Sequence, residues 1–251
     1  MRPAFALLAV VLVAAVLRSS CDTSEAPPYL DTQPTATLPT SVQARLVEFV
    51  PTEDRVVALT FDTGVDAPPD AVESALRALR AAGVRATFSV TGLWGERERD
   101  LLFSIAADGH QIINGTYDGA SFTGASTGAA ALTPGQRRLA LSRAEVTVYR
   151  YTSRSTRPYV RPPFGDIDGS VLRDAATNSY TIAVAWGVDI PATMAAADIA
   201  PLVTRAARPG VIFRLPLTTA AAAALPGVID ALHSSGYEPF TIEELLQTTN
   251  H

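Results

Sequence analysis

Val56-Val57-Ala58-Leu59-Thr60-Phe61-Asp62-Thr63-Gly64 is the stretch on which the fold turns. An apolar, β-favouring run ends in an aspartate, and a glycine then turns the chain. Such a run reads as a buried strand that passes into a loop. A carboxylate at the C-terminal end of a buried parallel strand stands where α/β folds place their chemistry. A turn-forming Asp ahead of Gly accounts for the same residues, so the rest of the chain has to decide.

Downstream, strand-like and helical stretches alternate. Pro69–Ala82 carries Val72, Leu76 and Leu79 on one helical face and stops at Gly83. Val84–Val90 reads as the next strand, Asp100–Ala107 as a helix and His110–Ile113 as a short third strand. Asp118–Ala131 is mostly Gly, Ala, Ser and Thr without periodicity, and reads as a flexible loop. Pro134–Tyr151 reads as a polar amphipathic helix with proline in its first turn. Tyr180–Trp186 and Val211–Leu215 are apolar strands, with helices over Asp198–Ala207 and Ala220–His233. Pro239–Ile242 is a last strand with a helix behind it. Repeated strand–helix units predict an α/β fold with parallel strands and outer helices, a barrel being the favoured form.

The chain has 251 residues, of which 47% are hydrophobic, enough for one sizeable core. The formal net charge is −5 and the basic residues are scattered singly, which argues against a nucleic-acid partner. Met1-Arg2 precedes an apolar run, Ala4–Leu17, and then Arg18-Ser19-Ser20-Cys21. That run is short of the roughly 20 residues a bilayer span takes, so residues 1–21 are predicted to be a signal peptide. Cys21 is the only cysteine, which excludes an intrachain disulfide. Its setting resembles a bacterial lipoprotein signal, in which the cysteine is lipidated, although Arg18 stands where an apolar residue is usual. Ordinary cleavage nearby and an uncleaved membrane anchor stay open beside lipidation of Cys21. Residues 22–50 are Pro-, Thr- and Ser-rich at first and read as a tether. Residues 51–251 are predicted to form one folded domain.

In order along the chain, Ala58–Asp62, Gly83–Phe88, Ala107–Ile112, Val160–Gly165, Trp186–Asp189, Pro209–Ile212 and Ser235–Tyr237 resemble the motifs of the polysaccharide deacetylase, or NodB-homology, family. The resemblance covers nearly the whole folded part. It implies a distorted, incomplete (β/α) barrel. It also implies metal-assisted removal of acetyl groups from a sugar polymer: an aspartate base, a second aspartate and two histidines on a divalent cation such as zinc, and a late histidine as acid.

The sequence departs from that pattern at most reacting positions. Asp62 matches the base, but Thr63 stands in place of the metal-binding carboxylate. The run Asn114-Gly115-Thr116-Tyr117-Asp118-Gly119 has glycine at both histidine positions. Ala192-Thr193 replaces the family's Asp-Trp, and Pro216 replaces the late histidine. The three histidines, His110, His233 and His251, offer no ligand pair, and His110 reads as structural. No cofactor is therefore expected. A hard cation on Asp62, Thr63 and one of Asp66, Asp118, Asp166, Asp168 or Asp189 is a minor alternative. What survives is Asp62 and Arg161, the arginine that the resemblance pairs with the base. They read as a remnant catalytic pair or as a buried ion pair kept for the fold.

Trp94, read as lying in a loop after the second strand, Tyr117, Phe164 and Leu215 are the candidate glycan contacts, with Trp186 read as core. The expectation is an exported protein on the outer face of the cytoplasmic membrane. It is degenerate as a hydrolase, and it binds cell-wall or extracellular polysaccharide or a protein partner. An active hydrolase with a rebuilt or absent metal site and a purely structural envelope protein are the alternatives.

Overall fold

The computed structural model describes residues 42–250. The signal segment, Cys21 and most of the expected tether lie outside the described residues. β1 (Arg45–Val47) is followed by β2 (Val56–Asp62), α1 (Pro69–Ala82), β3 (Thr87–Val90), α2 (Gly92–Arg97), α3 (Arg99–Ala107) and β4 (Gln111–Asn114). Then come α4 (Pro134–Thr152), β5 (Tyr159–Val160), α5 (Gly169–Thr177), β6 (Ile182–Val184) and β7 (Val188–Asp189). The chain finishes with α6 (Ala196–Ala206), β8 (Ile212–Pro216), α7 (Thr219–Ser234), β9 (Glu238–Phe240) and α8 (Ile242–Gln247).

The strands pair in the order β1-β6-β5-β4-β3-β2-β8-β7, with β9 also on β2, and the strand pairings are parallel. β1 and β7 end the path, so the sheet curls into a distorted, incomplete (β/α) barrel. Parallel strands covered on both faces read as near-continuous apolar runs, which is why β2 shows no alternation in its sequence. Its faces are nevertheless distinct. Val57, Leu59 and Phe61 join the outer core with Val72, Leu76, Leu225 and Val228 of α1 and α7. Val56 and Ala58 join an inner core with Ile113, Val184 and Ile212, into which Ile242 and Leu245 of α8 pack.

Local signals set the helix limits. α1 starts at Pro69 and stops where Gly83 turns left-handed at φ 68°. α4 opens on a capping box in which Thr133 and Gln136 satisfy each other's backbone N–H groups. Thr241 and Glu244 do the same for α8. Among the described residues no helix is long and apolar enough to cross a membrane.

Two boundaries differ from expectation. The folded part begins before residue 51: β1 pairs with β6, and Val47 and Val50 are buried. Three residues carry no periodicity of their own, so only the partner strand makes Arg45–Val47 a strand. α2 lies where a loop was expected, because Gly92-Leu93-Trp94-Gly95 has weak helix propensity and is held by packing.

Candidate functional site

Side-chain alternation carries Asp62 into the barrel. It shares the inward face of β2 with Val56, Ala58 and Thr60 and stands last on the strand. The same parity runs along β8, where Ile212 faces inward and Arg214 follows two residues later. Thr60 lies beside Arg214 and Asp62 beside Pro216 in the pairing of the two strands. Arg161 follows β5 and donates its backbone N–H to the Asn114 carbonyl, 2.8 Å away. The ends of strands β2 to β8 thus meet at a cleft of about 370 Å³. Asp62, Ser89, Thr91, Arg161, Arg214 and Asp189 give it polar walls, and Phe164 and Trp186 supply its aromatic faces.

The charged groups form one chain of ion pairs. Arg161 Nη1 donates to Asp62 Oδ1 at 2.8 Å, and Arg214 Nη1 to Oδ2 at 3.0 Å. Arg214 Nε donates to Asp189 Oδ1 at 2.7 Å. Arg161 is further satisfied by the carbonyls of Val184 at 3.2 Å and Ala185 at 3.4 Å. Both guanidiniums approach the Trp186 ring, their central carbons 4.6 Å (Arg214) and 5.6 Å (Arg161) from its centroid. Burial works against the charge of Arg214. The Asp189 and Asp62 carboxylates outweigh it and hold the guanidinium above its ordinary range.

One wall of the cleft is a loop without regular structure. It is tied down, in contrast to the flexible segment its composition predicts. Asp166 accepts hydroxyl hydrogen bonds from Ser121 and Ser126 and the Ser126 N–H at 3.2 Å. Burial alone would raise the Asp166 carboxyl; the hydroxyl donors reverse this and hold it below the usual carboxylate range. Asp168, two residues on, caps α5 through the Ser170 and Val171 N–H groups at 2.8 Å.

The sequence candidates fare unequally. Asp62, Arg161 and Phe164 line the cleft, and Phe164 is 59% exposed. Trp94 does not reach it: its ring is buried in the outer core and Nε1 donates to the Ala67 carbonyl at 3.1 Å. Leu215 is buried in the same core, since its parity on β8 points it at the outer helices. Tyr117 is also buried. Its hydroxyl donates to Glu96 at 2.9 Å and the Arg143 guanidinium covers its ring at 3.4 Å, so neither face is open to a sugar. Trp186 is half-buried and lines the cleft, where an all-core residue was expected. Arg214 escaped the sequence reading altogether, although counting alternate residues from Ile212 would have found it.

The three positions where the resemblance implies metal ligands differ in room. Thr63 is buried and its hydroxyl is committed, accepting from the Thr91 N–H at 3.2 Å and donating to the Gly64 carbonyl at 3.0 Å. A Cβ on Gly115 would come within 2.9 Å of Ser89 Oγ and of the Val90 carbonyl carbon and oxygen. Gly119 has open space, the nearest atom being Val65 Cγ1 at 3.6 Å, but sits at φ 69°. Among the described residues no three His, Cys, Asp or Glu side chains are grouped to hold a metal ion.

Comparison with known proteins gives a consistent picture. The family model for polysaccharide deacetylase matches residues 49–183. The chain is 30% identical over 133 residues to the peptidoglycan-N-acetylglucosamine deacetylase of Bacillus cereus, a match spanning 53% of this chain and 44% of that protein. Less than half the length of that relative is therefore represented. Wild-type BA3943, described as a CE4 family pseudoenzyme from Bacillus anthracis, superposes with a TM-score of 0.71 at 21% identity, over 80% of this chain and 69% of that one. A BA3943 mutant with restored enzymatic activity gives a TM-score of 0.72 at 23% identity, over 80% and 71%. At such identities these structures speak for the fold alone.

Proposed function

The chain belongs to the polysaccharide deacetylase family, and from that premise we propose that its barrel no longer hydrolyses acetyl groups and serves as a glycan-binding domain of the bacterial envelope. The observation that carries this reading is the state of the three metal-ligand positions, where the Thr63 hydroxyl is committed to the backbone and Gly115 and Gly119 have no side chain. A general base takes a proton through a free lone pair within hydrogen-bond reach of a water. Asp62 keeps such a lone pair on each oxygen beside its two guanidiniums, but without a metal-bound water it has little to act on.

A divalent cation does not fit this donor set. Zinc and its relatives take imidazoles, thiolates or carboxylates at the first contact. Thr63 offers a hydroxyl already committed to the backbone, and Gly115 and Gly119 offer no side chain. The cleft itself remains open, which favours a ligand over a purely structural role. Phe164 and Trp186 give apolar faces for a sugar ring, and Ser89 and Thr91 give hydroxyls beside them. The Bacillus cereus relative is named for acting on peptidoglycan, so an acetylated cell-wall polymer is the ligand class of choice. In this reading residues 1–21 direct export, and Cys21, where lipidated, holds the domain at the membrane.

The test is direct. Purified full-length protein, given acetylated sugar oligomers and zinc, is expected to release no acetate yet to be retained on peptidoglycan. Phe164→Ala, on an exposed ring, is expected to weaken retention by roughly fivefold, the worth of about 1 kcal/mol of aromatic contact. Acetate release that vanishes in Asp62→Asn, or elemental analysis finding zinc bound stoichiometrically, would refute the reading.

Restoring one ligand will not restore a metal site. Gly115→His is expected to lower stability by about 1–3 kcal/mol, because its Cβ meets the Val90 backbone and one of the two must move. Gly119→His carries only the left-handed strain of about 1–2 kcal/mol. Neither single variant is expected to gain zinc affinity. Urea unfolding and zinc titration of both proteins check this.

A further inference from the structure

The outward face of α4 is unlike the rest of the molecule. Between Thr133 and Arg161 the chain has seven arginines (137, 138, 143, 150, 154, 157 and 161) and one carboxylate, Glu145, whereas the whole chain has a net charge of −5. Arg137, Arg157 and Arg161 are paired with Asp174, Glu145 and Asp62; of the others, the helix gathers Arg138, Arg143 and Arg150 on its exposed side. At 100° per residue Leu139 and Val146 share the centre of the exposed face, with Arg138 and Tyr149 on one flank and Arg143 and Arg150 on the other. Leu139 is 58% exposed, Val146 55% and Tyr149 60%. Arg154 is exposed just past the helix end. Among the described residues the side chains of Arg138, Arg150 and Arg154 make no ion pair.

The acids near this face are already engaged. Glu145 points inward to Ser155, Thr156 and Arg157. Glu96, at the edge, accepts from the hydroxyls of Tyr117 and Thr147.

We propose that this face of α4 docks on an anionic phospholipid surface, with Leu139 and Val146 entering the headgroup layer and the flanking arginines binding lipid phosphates. An apolar centre flanked by arginines is the pattern of a helix lying in a membrane interface. Guanidinium forks match phosphate oxygens in pairs, and their stems lie along apolar surface while their heads stay in the polar layer. A polyanion without a hydrocarbon boundary would use the arginines and leave Leu139 and Val146 in water. The described chain also enters the fold nearby. The Ala44 N–H donates to the Leu172 carbonyl on α5 at 3.0 Å, and Arg137–Asp174 ties α5 to α4 at 2.6 Å. The inference goes beyond glycan binding in the cleft and stands or falls separately from it.

Co-sedimentation of the full-length chain with phosphatidylglycerol and phosphatidylcholine vesicles tests it. The N-terminal apolar run contributes equally to all variants, so the ratio between the two lipids is the readout. Wild type is expected to prefer phosphatidylglycerol, and added salt to abolish the preference. The triple variant Arg138→Ala, Arg150→Ala, Arg154→Ala is expected to lose roughly a hundredfold on phosphatidylglycerol, at about fivefold per arginine. Leu139→Ser with Val146→Ser, which changes no charge, is expected to weaken binding to it by about tenfold or more. Three results would overturn the proposal: equal binding to both lipids by wild type, no effect of the apolar pair, or sedimentation velocity showing a dimer dispersed by these substitutions. Glycan retention by the triple variant should be unchanged.

Discussion

Asp62→Ala is expected to destabilise the domain by about 3 kcal/mol, the low end of the roughly 3–5 kcal/mol that losing one partner of a buried ion pair costs. Arg161 is 3% exposed as a side chain and Asp62 21%, which places the pair at the edge of burial. Without the carboxylate, Arg161 keeps two backbone carbonyls and no counter-charge. Arg214 loses one of two acids but still has Asp189, which is 43% exposed. Arg214→Ala is therefore expected to cost far less, about 1 kcal/mol or below, because Asp62 keeps its better-buried partner and water reaches the rest.

The ordering of these two variants, read together with acetate release, separates the accounts of Asp62. If it is kept for the fold, urea unfolding ranks Asp62→Ala well below Arg214→Ala. If it also serves as a base, Asp62→Ala should in addition abolish a measurable acetate release. Equal, small losses in both would remove the structural account.

How far the sequence went depends on which residues set the answer. The barrel and its strand ends were legible because β2, β6 and β8 are apolar runs bounded by Gly and Pro, signals carried within a few residues. β1 was not legible, since Arg45–Val47 is a strand only through β6. Within the cleft, Asp62 and Arg161 could be named from motif resemblance. Trp94 could not be placed, because an aromatic residue after a strand looks the same whether it faces solvent or fills the gap behind α2. Leu215 and Arg214 are neighbours with opposite fates, and only the parity of β8 distinguishes them. The basic face of α4 was hidden for the same reason: arginines spaced along a sequence converge only when wound on a helix.

Acidification is expected to weaken the fold by about 3 kcal/mol between pH 7 and pH 4, through His110 alone. His110 is buried, 1% exposed, between the Phe88 ring, 5.1 Å away, and the backbone of Ala86, whose N–H donates to Nδ1 at 3.2 Å. Nε2 has no partner among the described residues. Burial is the main force lowering the imidazole to about 4 from 6.5; Asp108 opposes it and Arg80 and Arg85 add to it. The folded state therefore refuses a proton that the unfolded chain accepts below pH 6.5. Stability contributed by the neutral ring is whole above that value and is lost as pH falls toward about 4. Glu145 continues the trend lower down. Burial pushes its carboxyl up, but the Ser155 and Thr156 donors and Arg157 more than compensate and hold it below its usual value, so its stabilisation disappears as it is finally protonated. Urea unfolding at a series of pH values should thus show a decline beginning near neutrality, earlier than carboxylates alone would produce. His110→Gln, which offers an oxygen to the Ala86 N–H, is expected to flatten the decline above pH 5 and to leave the lower part in place. A slope unchanged in that variant would mean that some other group takes up the proton.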